Sequence, residues 1–289
     1  MKYLNLLGLM LAVVLTCTAQ KEVQVVSLQT KEPVPYANIT YLKNGSISGG
    51  TYTNSEGWAL LDLEEGITDI EVSHLNFKTF QVHVADIEEL IHLDDNPQVL
   101  QEVTLNFPSE PKVVFAGVER LRKRHTMGAY QGFEWITLIH NDFVEEKRIK
   151  SFVFHTKRWS RKRSLAMKVI FYRNHNNTPG EKLPVEVIFE LDRKMKKEAI
   201  IDLQSENLLL PVEGVFAGVE WIGCPYDKDV DDDDRQSCSH SMVYVPMDEE
   251  QIKDHPTFSR YRYRSKEWRS EYPVLGYYPV PAFGLEIYE

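Results

Sequence analysis

Apolar residues recur at every second position over short stretches of this chain. Ala37, Ile39 and Tyr41 alternate with polar neighbours, and so do Phe80, Val82 and Val84. A period of two is the mark of a strand with one face buried. Turn-forming clusters separate the runs: Lys43-Asn44-Gly45-Ser46, Asn54-Ser55-Glu56-Gly57 and Glu64-Glu65-Gly66. The second half repeats the pattern. Leu165, Met167, Val169 and Phe171 form one inward set, Val185, Val187, Phe189 and Leu191 another, and Val215, Ala217, Val219 and Trp221 a third. Helical spacing is confined to a turn within 86–90 and another within 248–255. Short, evenly spaced strands predict an all-β chain of two β-sandwich domains, over 20–105 and 106–289.

The N-terminus follows a different pattern. After Lys2, residues 6–15 (LLGLMLAVVL) form an uncharged apolar run, followed by TCTAQ. That layout predicts a secretory signal peptide over 1–19, with cleavage after Ala19. The run is too short to span a bilayer, which takes about 20 apolar residues. An alternative is a lipoprotein signal with Cys17 as the lipid-bearing residue, although Thr16 stands where a smaller side chain is usual. No other run approaches membrane length, so no transmembrane segment is expected in the mature chain. Loss of Lys2 with the signal takes the formal net charge from −10 to −11. Acidity and export together argue against nucleic acid as a partner.

Four stretches of the first half stand in an order that resembles the carboxypeptidase-regulatory-like domain, a prealbumin-type β-sandwich widespread in exported Bacteroidota proteins. They are PVPYANITYL, GGTYTNSEGWALLDL, IEVSHLNFKTFQVHV and IHLDDNPQVLQEVTL. The first strand, VQVVSLQT, lacks the family's usual glycine, and Asn76-Phe77 stands where Gly-Tyr is common. The resemblance implies turns at Gly50 and Gly57, with Trp58 returning an apolar face to the core. It implies no catalysis, because the domain is an accessory of metallocarboxypeptidases. The chain has no His-x-x-Glu zinc pair, and His74, His83 and His92 read as polar outward positions. The second half more loosely resembles the jelly-roll-like sandwich of carbohydrate-binding and adhesion modules.

Candidate chemistry is sparse. Cys224 and Cys238 bracket six aspartates in CPYDKDVDDDDRQSC. In an exported chain such a pair predicts a disulfide. Asp227, Asp229 and Asp231 alternate as at the start of a calcium loop, so calcium is the one cofactor considered. The helix-loop-helix calcium motif itself is absent, since Asp232 and Cys238 replace its glycine and glutamate; a solvated charge run is the alternative. From Lys147 to Lys168 nine Lys or Arg occur without an acid, which reads as a hairpin tip in water. The hexapeptide VFAGVE occurs at 114–119 and 215–220 with unrelated flanks and reads as two similar strands. The tail RYRYRSKEWRSEYPVLGYYPVP is rich in aromatic and basic residues. Trp159, Tyr172, Trp221 and Trp268 are the candidate ligand-binding aromatics, with core packing as the competing role.

No nucleophile elbow or phosphate loop is present. Paired carboxylates for glycoside hydrolysis are not visible, because such acids come from distant strands. The expectation is a non-catalytic, exported cell-envelope protein of the periplasm or outer-membrane surface, recognising a glycan or a surface partner. Alternatives are an accessory of a TonB-dependent outer-membrane uptake system and an unrecognised hydrolase of glycan or peptide.

Overall fold

The structure is a computed structural model. It describes residues 19–96, 112–119, 125–157, 165–191, 198–224, 226–227 and 241–289. The apolar run over 6–15, Cys17, Trp159, Asp229, Asp231 and Cys238 lie outside the described residues. Among the described residues the secondary structure is strand with three short 3₁₀ turns, and no helix is long and apolar enough to cross a membrane. The chain divides into two compact units, Met1–Asp95 and Asn96–Glu289.

The first unit contains β1 (Ala19–Ser27), β2 (Asn38–Lys43), β3 (Ser46–Tyr52), β4 (Trp58–Leu63), β5 (Asp69–His74), β6 (Phe77–His83) and β7 (Leu90–Leu93). They form a three-stranded sheet, β4-β1-β7, and a four-stranded sheet, β3-β2-β5-β6. Val23, Val25, Ala59, Leu61, Ile91 and Leu93 from the first meet Ile39, Tyr41, Ile70 and Val72 from the second in one core. Two sheets sharing one apolar interior is the sandwich solution to burying one face of each. The β2–β3 connection is the Asn44-Gly45 pair, both at positive φ, which twists as the flanking strands do. At Gly57 φ is +76°, and a Cβ would lie 2.5 Å from the Val25 carbonyl oxygen. The buried Thr53 hydroxyl is satisfied twice: it accepts from the Ala37 N–H at 2.8 Å and donates to the Val34 carbonyl at 2.9 Å.

Three expectations for this unit are corrected. Gly50 lies within β3, opposite Thr40, and not at a turn. Trp58 is half-buried and stands outside the core, because the two-residue period of β4 turns Ala59 and Leu61 inward instead. Phe80 is 37% exposed. The β5–β6 pairing shifts between Val72 and His74, and Phe77 packs on the core at the start of β6.

The second unit contains β8 (Val113–Gly117), β9 (His125–Gly128), β10 (Phe133–Ile139), β11 (Lys147–Lys157), β12 (Leu165–His175), β13 (Thr178–Lys182), β14 (Val187–Leu191), β15 (Glu198–Asp202), β16 (Leu209–Leu210), β17 (Val215–Gly223), β18 (Ser241–Met247), β19 (Thr257–Tyr261), β20 (Arg269–Ser270), β21 (Tyr278–Pro281) and β22 (Phe283–Tyr288). One sheet runs β13-β12-β17-β10-β19-β20, with β14 also on β12. The other runs β21-β18-β11-β22-β8, with β15 and β16 on β11 and β9 on β18. The three inward sets expected from the alternation all line or pack against the largest core. Aromatic pairs bridge the sheets there: Trp135 meets Phe283 with centroids 6.1 Å apart, and Phe152 meets Phe171 at 6.5 Å.

β17 is buried at every position and β12 over 165–172. Ile136, Leu138, Ile170, Tyr172 and Phe216 form a second cluster, with Phe258 and Trp268 packed on it. Both faces of this sheet are therefore covered, where half-buried strands were expected. The basic stretch is not a hairpin tip: β11 and β12, which flank it, belong to different sheets. The two VFAGVE copies also part company. The first lies mainly on β8, at the end of one sheet, and the second on β17, in the middle of the other.

Candidate functional site

Charge is concentrated at two places in the second unit. On the seven-stranded sheet, the β10–β17 register sets Glu134 opposite Glu220. Directly opposed residues share a face, with Cβ atoms about 5 Å apart. Both side chains are fully buried. Arg260, opposite Glu134 on β19, donates from Nε to Glu134 Oε2. Arg262 Nη1 donates to Glu220 Oε1 at 2.6 Å, and Lys182 Nζ lies 3.7 Å from Glu220 Oε2. Lys168 pairs with Glu186 nearby. Burial opposes the Arg260 charge, but the Glu134 carboxylate overrides it and raises the arginine's pKa.

A carboxylate pair this close invites comparison with a retaining glycosidase, whose acids stand about 5 Å apart. That chemistry needs one protonated acid and room for a sugar. Here each carboxylate is occupied by a guanidinium and neither is exposed, so there is no room for a sugar at either acid. What the arrangement does is hold three neighbouring strands in one register, since a slip would strand buried charges.

The sequence-derived aromatics separate. Tyr172 and Trp268 come together, edge to face with centroids 5.0 Å apart, but Tyr172 is a correction: it is 3% exposed and packs in the second cluster, so its ring offers no open face to a ligand. The Arg260 guanidinium lies 4.2 Å from the Trp268 ring centre, and its Nη2 donates to the Tyr172 hydroxyl at 2.8 Å. Burial pushes the Tyr172 phenol far up. Trp221 is a correction: it is 1% exposed and packs in the main core, so its ring offers no surface to a ligand. Its inward place follows from the Val215-Ala217-Val219 series that it continues. Cys224 is disulfide-bonded. Asp227 is exposed. Among the described residues no three His, Cys, Asp or Glu side chains are grouped to hold a metal.

The second place was not anticipated. A groove of about 360 Å³ opens on the outer face of the eight-stranded sheet. Its lining comes from four strands whose register is explicit. Phe115 on β8 stands opposite Glu286 on β22, Glu286 opposite Ser151 on β11, and His155 on β11 opposite Glu198 on β15. Val153 lines it too and is buried, whereas Phe115 is 43% exposed. Beyond Val153, opposite it on β15, Ile200 is 54% exposed. Gly284 lies under the Phe115 ring, where a Cβ would overlap it.

Glu119, Glu198 and Glu286 line the groove with His155, and among the described lining residues there is no Lys or Arg. The Ser151 hydroxyl donates to Glu286 at 2.7 Å and Lys150 Nζ at 2.9 Å. The Ser151 bond above all, with Lys150 behind it, holds the Glu286 carboxyl below its usual range. His155 Nδ1 lies 4.0 Å from Glu198 Oε2. An exposed aromatic and an exposed aliphatic beside three acidic side chains can take a ligand that is apolar on one side and a donor or cation on the other. The one sequence signal was VVFAG, an apolar strand with no visible reason to be at a surface. No protein-family model and no curated protein matches the chain.

Proposed function

We propose that this chain is an exported cell-envelope protein that recognises a glycan or a surface partner without transforming it. The first unit is read as a carboxypeptidase-regulatory-like scaffold and the second as the recognition module. The observation that carries this reading is the groove on the outer face of the eight-stranded sheet. Exposed Phe115 stands there beside Glu119, Glu198 and Glu286, and exposed Ile200 borders it on β15, opposite the lining residue Val153. The groove is built on strands rather than on loops, so its groups are fixed before a ligand arrives and little ordering entropy opposes binding. The signal-like leader and the disulfide-bonded Cys224 support an oxidising, exported setting. Calcium on the loop that begins at Cys224 remains a secondary proposal, tested by thermal unfolding with and without the ion.

The test is a binding screen with the purified full chain against immobilised glycans and cell-envelope proteins, repeated with Phe115→Ala. A ligand retained by the wild type and lost by the variant, at unchanged thermal stability, supports the reading. Co-purification of an outer-membrane transporter would name the partner. Equal retention of both proteins counts against the groove. Turnover of a glycan or peptide by the wild type would overturn the non-catalytic reading.

A further inference from the structure

The strand that borders the groove ends its sheet. In the order β21-β18-β11-β22-β8, β22 is the one partner of β8 among the described residues. The ladder shows which residues turn outward. The Glu289 N–H donates to the Lys112 carbonyl, and the Val118 N–H to the Phe283 carbonyl. In an antiparallel pair, residues that bond to the partner alternate with residues that do not. Lys112, Val114, Ala116 and Val118 therefore face β22, and Val113 and Phe115 point their N–H and C=O groups away from it. Among the described residues nothing bonds to those outward groups.

Natural edge strands are guarded by an inserted lysine, a proline, a bulge or a covering loop. Val113–Gly117 reads VVFAG and has no lysine or proline. Its outward side chains are apolar and open, Val113 at 37% and Phe115 at 43%. Val114 and Ala116 pack inward on the core, so the edge itself is rigidly held.

We infer that β8 is a docking edge: an extended polypeptide with lysine or arginine on one face adds to it as a further strand, with its basic side chains lying across Val113 and Phe115 toward Glu286. This rests on the recognition reading above and specifies its ligand. The geometry is direct. An added strand lies about 4.8 Å beyond β8, and Glu286 on β22 stands one strand spacing on the other side. A long basic side chain rests its methylenes on apolar surface and keeps its charge at the far end. Val113 and Phe115 offer that surface, the Phe115 ring can face a cation, and Glu286 waits at the end. Glu119, just past β8, supplies a second acid. Charge also selects against the obvious competitor. A second copy paired edge to edge would bring only a further Glu119 and Glu286 onto that face, the two Glu286 about 14 Å apart, and would supply no cation across Val113 and Phe115. Main-chain bonds give such a complex its affinity, and the side-chain pattern gives its specificity.

The probe is a fluorescent heptapeptide alternating lysine and valine, titrated with the full chain. Controls are the glutamate–valine heptapeptide and the lysine–valine peptide N-methylated at every residue, which has no N–H on either edge to offer β8. Val113→Pro is the matched protein variant. It removes an N–H that points away from β22, at a position where an edge strand accepts proline, and exchanges one apolar side chain for another. The expected result is saturable binding of the lysine peptide that weakens about tenfold in Val113→Pro, in Glu286→Gln and with the N-methylated probe. Binding should also fall as salt is raised, and the glutamate peptide should not bind. The N-methylated probe on the wild-type chain keeps the test valid should Val113→Pro fail to fold. Equal binding of methylated and unmethylated probes overturns strand addition and leaves groove recognition standing. So does a chain that ignores all three peptides but retains a glycan in a Phe115-dependent way. A concentration-dependent dimer abolished by Val113→Pro also overturns the proposal, because the occupant would then be a second copy.

Discussion

Replacing Glu271 by glutamine should stabilise the protein at neutral pH and remove part of its pH dependence. Glu271 follows β20, and its N–H donates to the Thr257 carbonyl. Burial pushes its carboxyl up to about 7 from an ordinary 4.5, while Ser259 and the Trp135 indole beside it pull the other way. Among the described residues neither Glu271 Oε1 nor Trp135 Nε1 completes a hydrogen bond. Below pH 4.5 the carboxyl is protonated in folded and unfolded chains alike, and it adds no pH dependence. Between 4.5 and about 7 the unfolded chain has released the proton and the folded chain keeps it. The unfolded state then binds fewer protons, so stability falls as pH rises. Above about 7 the whole cost is present. Tenfold in proton affinity is about 1.4 kcal/mol, so a rise from 4.5 to about 7 costs at most about 3–4 kcal/mol. Glutamine keeps the shape and never ionises. Urea unfolding followed by tryptophan fluorescence at pH 5 and pH 8 measures it. Glu271→Gln should differ little from the wild type at pH 5 and be more stable by about 2–3 kcal/mol at pH 8. An equal difference at both pH values would refute the reasoning, and so would a variant less stable at pH 8.

The buried ion pairs and the core give further expectations. Arg260→Ala leaves Glu134 charged and buried without its guanidinium and should cost about 3–5 kcal/mol in urea unfolding. Glu134→Ala with Arg260→Ala should cost clearly less than the two single losses added, and strict additivity in that double-mutant cycle would show that the pair is not coupled. Trp221→Ala should cost about 3–5 kcal/mol by opening a cavity in the main core. It should leave ligand affinity per folded molecule unchanged, which a titration normalised to the folded fraction would read.

Period-two patterning was enough to find the interior. Leu165-Met167-Val169-Phe171 and Val215-Ala217-Val219-Trp221 face the core as alternation requires, and Asn44-Gly45 announces its hairpin by chemistry that only positive φ accommodates. Other features depend on which strands become neighbours, and local pattern carries no register. Glu134, Glu220, Arg260 and Arg262 look like solvent-facing positions in the sequence. They are buried or partly so because the seven-stranded sheet is covered on both faces and acids and bases meet across strands. The strands on either side of the basic stretch would pair in a hairpin if proximity in sequence decided it, yet they feed two different sheets. Trp221 looked like a ligand platform because aromatic residues serve cores and sites equally well. The groove draws on residues 113–115, 119, 153, 155, 198 and 286, a set that no window of sequence contains.

Recognition through the outer face of the eight-stranded sheet is the claim on which the rest depends. Its most direct test is retention of the purified full chain on an immobilised cell-envelope fraction, comparing the wild type with the Phe115→Ser/Ile200→Ser double variant. Both side chains are exposed, so the substitutions should leave the thermal midpoint nearly unchanged. The account predicts strong retention of the wild type and loss of most of it in the double variant. Retention of both proteins to the same extent, with both folded, would contradict it.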